Sequence, residues 1–449
     1  MPRMRLMVDG YNMALPQGTG VATYGQQLAA AAQGLGIEVE GLYGLRAPFN
    51  PRLRDVLFYE ALGNGHATRR PFPGSPAWLR EIYWLSRPRR ARAIAVDGPI
   101  LTRQFGHRLP PFDALHSAPD LFDLAARNFK RTGLFTRVAI PGGAPDVMHW
   151  TYPFPVRMPG VPNLYTLHDL VPLKLPFASA DNKRFYAKLI RKVVASADRL
   201  VTVSDASRAD ILQLFPEAEP KLVNTWQAVR LPPGAAEEPE QDVARAVKSI
   251  FGLDWRGYFL FFGAIEPKKN LARLIEAYLS LGTDTPLVIV GQRSFGSRQE
   301  LRLLRRDELN PLVAQFRNVR RIDYLPRALL LRLVRGAKAV TFPSIHEGFG
   351  LPVLEAMALG TPVLTSNTSA LPEVAGDAAL LVDPYSPAAI AAGLRTLDSD
   401  GDLRARLSAA GRIRADFFSP ERYQERLARL YGELFEARAR AAALAPAHA

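Results

Sequence analysis

The stretch Ser344-Ile345-His346-Glu347-Gly348-Phe349-Gly350-Leu351-Pro352-Val353-Leu354-Glu355-Ala356-Met357-Ala358-Leu359-Gly360-Thr361-Pro362-Val363 follows one short apolar run, Lys338–Pro343, and leads into another, Thr361–Thr365. Runs of that length read as buried strands. Between them, Leu351, Leu354 and Ala358 share one helical face, so the segment reads strand, tight loop, helix, strand, the repeating step of a parallel sheet. Gly348 and Gly350 leave the loop backbone free to present N–H groups at a helix N-terminus. Glu347 falls in the loop and Glu355 about one turn into the helix, so both carboxylates reach one cavity. A carboxylate accepts from paired hydroxyls such as those of a ribose or hexose. A cap at Glu347 and a surface position for Glu355 would be the ordinary alternative, but Glu355 stands among apolar neighbours, where an unpartnered acid is costly.

The same rhythm extends in both directions. Strands are expected at Tyr258–Gly263, Pro286–Gly291, Lys338–Pro343 and Thr361–Thr365, with helices at Asn270–Ser280, Pro326–Arg335 and Gly350–Leu359. In the first half, Arg5–Asp9, Asn163–His168 and Arg199–Ser204 have strand character. Paired prolines, a glycine and consecutive acids at Leu231–Glu240 mark an exposed linker. The expected organisation is an N-terminal domain over 1–230, a linker over 231–249, a second domain over 250–418, and a C-terminal helix over 419–449 that returns to the first domain. Both domains read as α/β, Rossmann-like parallel-sheet units. Prolines crowd residues 141–176, which suits a structured loop system, and Leu62–Ile140 shows no clean period.

A chain of 449 residues exceeds a comfortable single domain. With 48% hydrophobic and 22% charged residues it can bury sizeable cores. The absence of cysteine removes disulfides, thiolate catalysis and thiolate metal sites. The histidines lack ligand spacing, so no metal is expected. The N-terminal apolar run is too short for a signal peptide, and no stretch is long enough to span a bilayer; the expected location is cytoplasmic. A net charge of +14 favours anionic partners without choosing among nucleic acid, acidic lipid and phosphorylated substrates.

Two further segments point to phosphate. The run Pro16-Gln17-Gly18-Thr19-Gly20-Val21-Ala22-Thr23 precedes an expected helix and nearly matches a dinucleotide fingerprint, with Thr23 in place of the third glycine. Glu38 and Glu40 stand where a ribose-binding acid would follow. An ordinary strand-to-helix turn explains that run equally well. The second segment, Gly263-Ala264-Ile265-Glu266-Pro267-Lys268-Lys269-Asn270-Leu271, places two lysines at a helix start after a buried strand. Cations there oppose the helix dipole, and a bound phosphate would relieve the conflict.

These residues resemble retaining glycosyltransferase family 4, the group 1 glycosyltransferases, and bacterial mannosyltransferases within it. The paired glutamates are similar to the family's Glu–seven residues–Glu motif, and Lys268-Lys269-Asn270 resembles its basic turn. The order of the Gly20 loop, His168-Asp169-Leu170, the basic turn and the glutamates matches as well. The resemblance implies a GT-B fold, with two Rossmann-like domains facing across a cleft. It implies that Glu355 binds the donor ribose, and that Glu347 with the amides of Gly348, Phe349 and Gly350 holds the transferred sugar. Lys269, helped by Lys268, would neutralise the leaving diphosphate, His168 would face the sugar, Gly20 would line the cleft, and Tyr324 and Leu325 would meet the base. The implied catalytic set is Glu347, His168 and Lys269. Two departures stand out: Ala264 replaces a frequent arginine, and Asp323 replaces a glycine before the base-contacting pair.

The implied reaction is metal-independent transfer of a hexose, with mannose favoured, from GDP-mannose or a UDP-hexose to a glycan or lipid-linked acceptor. The nucleotide sugar is a substrate, and no cofactor is expected. The setting implied is bacterial surface-polysaccharide synthesis. Asp398, Asp400 and Asp402 imitate a calcium loop, but Leu403 and Ala409 fail its sixth and twelfth positions; Asp402 reads more simply as a helix cap. The basic helix Asn182–Lys192, and Trp78, Tyr83 and Trp84 ahead of Arg87, Arg89, Arg90 and Arg92, suit an anionic membrane face or a solvated basic one. A sugar-nucleotide epimerase on this fold and a nucleic-acid-binding protein are the alternatives; no nucleic-acid recognition motif supports the latter.

Overall fold

The computed structural model describes residues 4–15, 20–64, 72, 74–76, 78, 87–96, 112–304 and 318–444. Pro16–Thr19 of the glycine run, together with Tyr83 and Trp84, lie outside the described residues.

The first domain carries β1 (Arg5–Asp9), β2 (Glu38–Tyr43), β3 (Arg89–Arg90), β4 (Arg92–Ile94), β5 (Ala114–Ser117), β6 (Thr136–Ala139), β7 (Val147–Trp150), β8 (Val156–Arg157), β9 (Asn163–Thr166), β10 (Arg199–Thr202) and β11 (Leu222–Asn224). Eight of these form one sheet in the order β11-β10-β9-β7-β1-β2-β5-β4, parallel except for the β4–β5 pair. The second domain carries β12 (Phe259–Phe262), β13 (Leu287–Val290), β14 (Val319–Ile322), β15 (Ala339–Phe342), β16 (Val363–Ser366) and β17 (Leu380–Val382). They make an all-parallel sheet in the order β14-β13-β12-β15-β16-β17.

Why these runs become central strands follows from their composition. β12 reads Phe-Leu-Phe-Phe and every residue in it is buried, as a strand covered by helices on both faces requires. Full burial of side chains of this size contributes about 1.5–3 kcal/mol each. The stretch Leu62–Ile140, illegible in sequence, holds short strands β3 to β6 and the helix Leu121–Thr132 among its described residues. The expected linker 231–249 is coil only in its first part, because the helix Glu240–Phe251 begins within it. Pro239 precedes that helix, and Glu240 and Asp242 occupy its first turn, where acids favour helix formation.

The chain crosses between the domains twice. Residues around Val229 carry it forward, and Phe418 carries it back into the final helix Pro420–Leu444. The crossings are bonded to each other, the Val229 N–H donating to the Phe418 carbonyl (2.9 Å). Trp226 and Phe417 meet edge to face (5.7 Å), and the Arg426 guanidinium lies over the Trp226 ring (4.7 Å). The final helix then buries Tyr423, Leu427, Leu430 and Tyr431 against the first domain's helix Gly20–Gly34 and sheet. Tyr431 Oη lies 2.8 Å from His149 Nδ1, and His149 Nε2 lies 2.9 Å from Thr166 Oγ1. No described helix is long and apolar enough to cross a membrane.

Burial pushes the His149 imidazole down to about 3, so at neutral pH it is uncharged and depends on those two bonds. Tyr431→Phe leaves one ring nitrogen without a partner in the core, and a loss of about 1–3 kcal/mol in urea unfolding is expected. An unchanged midpoint would show that the final helix is held by apolar packing alone.

Candidate active site

Parallel sheets place their loops for ligand at the C-terminal ends of the strands, and the candidate residues gather there. After β12 the chain makes a one-turn 3-10 helix, Pro267–Lys269, and then Asn270 takes a left-handed conformation (φ +63°). The Asn270 amide donates to the carbonyls of Pro343 (2.9 Å) and Pro384 (2.7 Å). The Lys268 carbonyl accepts from the Ile345 N–H (2.8 Å). The basic turn and the glutamate loop after β15 are therefore fixed to each other by backbone bonds.

Within this frame Lys269 Nζ donates to Glu347 Oε1 at 2.6 Å, and both side chains are largely buried. Burial pushes the Glu347 carboxyl up, but Lys269 and Lys268 outweigh it and hold the group below the usual range. Lys268 lies 3.8 Å from both Asp169 and Glu266. Burial disfavours its charge, while Asp169, Glu347 and Glu266 together raise its pKa. Asp169 is pushed up by burial and then held low by Lys268 and the Val171 N–H.

The expected relief of the lysines by a phosphate at the helix end needs correction. They sit in the turn ahead of the helix Leu271–Leu279, separated from it by Asn270, and a carboxylate of this chain caps that helix: Ala272 N–H donates to Glu300 Oε2 (2.9 Å). The lysine charges are balanced by Glu347, Asp169 and Glu266 instead. Glu40, placed by its spacing as a ribose-binding acid, is paired within its own domain. Arg5 Nε donates to its Oε1 (2.6 Å) and His116 Nε2 lies 3.1 Å from its Oε2. The cap expected at Asp402 falls on Asp400, whose Oδ1 accepts from Leu403 N–H (2.8 Å), while Asp398 accepts from Lys338, Thr283 and Thr285. Among the described residues no group of three histidines or acids has metal-binding geometry.

The glutamate loop has further supports that the sequence did not mark. Ser369, itself left-handed (φ +55°), accepts the Glu347 N–H at its hydroxyl (3.0 Å). Gly348 is required by contact, since a Cβ there would lie 2.4 Å from the His168 carbonyl oxygen. The Gly348 carbonyl accepts from the hydroxyls of Ser204 (2.7 Å) and Ser207 (3.1 Å) of the first domain. Gly350 adopts φ +116° at the start of the helix Leu351–Ala358, and Phe349 is buried against Phe418 (5.4 Å). No acceptor among the described residues takes the N–H groups of Gly348, Phe349 or Gly350, so this run of amides at a helix N-terminus is available to a ligand.

Glu355 is buried and held by a guanidinium absent from the sequence reading. Arg327 donates from Nη2 to Oε1 (2.6 Å) and from Nη1 to Oε2 (3.1 Å). Arg327 opens the helix that follows Tyr324 and Leu325, so the fork ties that loop to the second glutamate. Tyr324 is 69% exposed, as a surface offered to a planar ring would be, and Leu325 packs partly on the core. His168 approaches from the other domain, its Nε2 donating to the Thr151 carbonyl (2.9 Å), with the Tyr24 ring edge-on to it (4.8 Å). Burial drives its pKa down, which keeps the ring neutral at pH 7. Gly20 opens the helix bearing Tyr24, with nothing among the described residues within 4 Å of where a Cβ would stand.

Contacts between the domains continue away from the lysines. Glu373 caps the helix Asp205–Leu214 of the first domain, accepting the N–H groups of Asp205 (2.8 Å) and Ala206 (3.0 Å), and it also accepts the Trp226 indole N–H (2.6 Å). Asp210 meets His346 (2.9 Å) and Lys174 (2.5 Å).

The sequence matches two family profiles: residues 251–414 match "Glycosyl transferases group 1", and residues 19–224 match "Glycosyl transferase 4-like domain". The chain belongs to the group 1 glycosyltransferases. Its two matched regions correspond to the two sheets described above. Among group 1 relatives, O-antigen chain mannosyltransferase B of Escherichia coli is 34% identical over 264 residues, 57% of this chain and 66% of the relative. This chain thus spans slightly less than two thirds of that relative's length. The fold is similar to sucrose-phosphate synthase from Thermosynechococcus elongatus, with TM-score 0.65, 17% identity, and 97% and 100% of the two chains covered. It is also similar to Anabaena HepE, solved with UDP and glucose, with TM-score 0.63, 14% identity, and 96% and 100% covered. These likenesses establish the GT-B architecture, two parallel-sheet domains facing each other across a cleft.

Removing one partner of a buried ion pair strands the other. Lys269→Met is expected to destabilise the chain by roughly 3–5 kcal/mol at pH 7, and adding Glu347→Gln should restore part of the loss in urea unfolding. Because the Glu347 pKa is lowered on folding, its contribution is fully present above the ordinary glutamate value of 4.5 and is lost as pH falls through the lower folded value. A double variant no more stable than the single one would overturn this account.

Proposed function

We propose that this chain is a retaining, metal-independent hexosyltransferase that moves mannose from GDP-mannose, or another hexose from a UDP donor, to a glycan or lipid-linked acceptor in surface-polysaccharide synthesis. The observation that carries the reading is the Lys268–Lys269–Glu347 cluster beside unengaged amides, with the His168–Asp169 turn of the facing domain packed against it. Lys269 and Lys268 would stabilise charge on the departing diphosphate, an electrostatic contribution strengthened where closure excludes water. Glu347 and the amides of Gly348, Phe349 and Gly350 would hold the sugar. Glu355 would accept the ribose hydroxyls, and Tyr324 and Leu325 would meet the base. The E. coli relative's name supports mannose, and the UDP of the Anabaena structure supports a nucleoside diphosphate leaving group.

The test is nucleotide release from a panel of GDP- and UDP-sugars, with chelator present and no acceptor added. Slow release of GDP from GDP-mannose is expected; no release and no thermal stabilisation by any donor would defeat the reading. On the donor that is turned over, Glu355→Gln should weaken binding at least several-fold with the fold retained, and unchanged affinity would remove the ribose role.

A peripheral place at the inner membrane face is part of the same proposal. Arg184, Lys188 and Arg191 are exposed on the helix Lys183–Ser196, a disposition that suits anionic lipid. Reversing all three charges should abolish sedimentation with phosphatidylglycerol vesicles; retained sedimentation would place the contact elsewhere.

A further inference from the structure

Asp9 ends β1 and is fully buried. In the sheet, β1, β7 and β9 are consecutive neighbours, and each sends one residue of a single relay past its C-terminal end. Thr151 follows β7, and His168 stands two residues beyond β9. At this height the backbone ladder has ended and side chains take over its bonds. The Thr151 N–H donates to Asp9 Oδ2, and the Tyr11 N–H donates to Oδ1 (3.3 Å). On its other side, the Thr151 carbonyl accepts from His168 Nε2 (2.9 Å).

A carbonyl can only accept, so Nε2 carries the hydrogen. In the neutral ring Nδ1 is then the lone-pair atom, able to accept from a sugar hydroxyl. The N–H and the carbonyl of Thr151 flank one Cα, so anchoring the N–H on Asp9 fixes the residue that bears the carbonyl. The carboxylate at Asp9 thus sets the place of Thr151, and the Thr151 carbonyl sets the tautomer of His168.

We propose that Asp9 is a positioning residue for the glycosyl transfer, holding Thr151 in place so that its carbonyl holds His168 against the donor sugar. This rests on the reading above in which His168 faces that sugar. Burial pushes the Asp9 carboxyl up to about 6, against the opposing bonds from Thr151 and Tyr11. The titratable groups facing it are Tyr24 from the helix Gly20–Gly34 and Tyr43 from β2. Burial raises both phenols, Tyr24 to about 12, so neither carries charge near pH 6. A proton on Asp9 weakens its hold on Thr151, so acidification through about 6 should loosen His168 while Lys268 and Glu347 stay charged.

The experiment uses the full chain and the donor it turns over, reading kcat and donor KM for diphosphate release from pH 5 to 8. In the wild type, kcat should show an acid limb near pH 6 with KM flat; a kcat level down to pH 5 overturns the proposal without any variant. Asp9→Asn and the smaller Asp9→Ser should lower kcat by roughly 10- to 100-fold, leave KM within about 2-fold, and abolish that limb, thermal melts confirming the fold. In a His168→Ala background, Asp9→Asn should cost nothing further. Full additivity would assign Asp9 a structural role apart from His168 and overturn the proposal. If His168→Ala alone leaves kcat unchanged, the donor-facing reading of His168 fails, and the proposal with it. If His168→Ala is slow while folded Asp9→Asn is not, only the proposal fails.

Discussion

The near-contact between Gly348 and the His168 carbonyl is the constraint on which the site depends. The two belong to different sheets, and no side chain fits at position 348 while the domains are this close. The approach is secured by the Ser204 hydroxyl, which donates to the Gly348 carbonyl, and by the Ser207 hydroxyl, whose single hydrogen is shared between the carbonyls of His168 (2.8 Å) and Gly348 (3.1 Å). It brings the His168 backbone against the glutamate loop and puts Lys268 within ion-pair reach of Asp169. A glycine here therefore acts by letting another domain in, rather than by bending its own chain.

Around that contact the molecule concentrates buried charge. Lys268 and Lys269 are matched by Glu347, Asp169 and Glu266, which avoids the cost of stranded ions. A diphosphate entering it would compete with those carboxylates, and the unengaged amides of the glutamate loop give it donors that nothing else claims. Balanced lysines and open amides together suit a leaving group that must be held and then let go.

Much of the architecture was legible because β12 and β13 are continuous apolar runs of the kind a doubly covered strand uses. The paired glutamates and the basic turn were legible for a different reason, since their residues are close in sequence as well as in space. Glu40 and the Lys268–Lys269 turn show the limit of such reading. Their partners, Arg5 and His116 for the one and Glu347, Asp169 and Glu266 for the other, are set by strand order rather than by spacing. Arg327, Ser369 and Glu373 were invisible on the same ground: each meets its partner only after the helices between the strands have crossed. The stretch Leu62–Ile140 stayed opaque because its strands are two to four residues long, too short to show a period.

The hydrogen bond between Val229 and Phe418 has a mechanical meaning. A single crossing would let one domain bend, twist and swing freely about the other. Two crossings bonded side by side act as a hinge pin: rotation about the line through them remains soft, and torsion across it is stiff. Each opening and closing of the cleft is thereby confined to nearly one degree of freedom, so the Gly348 and His168 loops can part and return to the same register without a search.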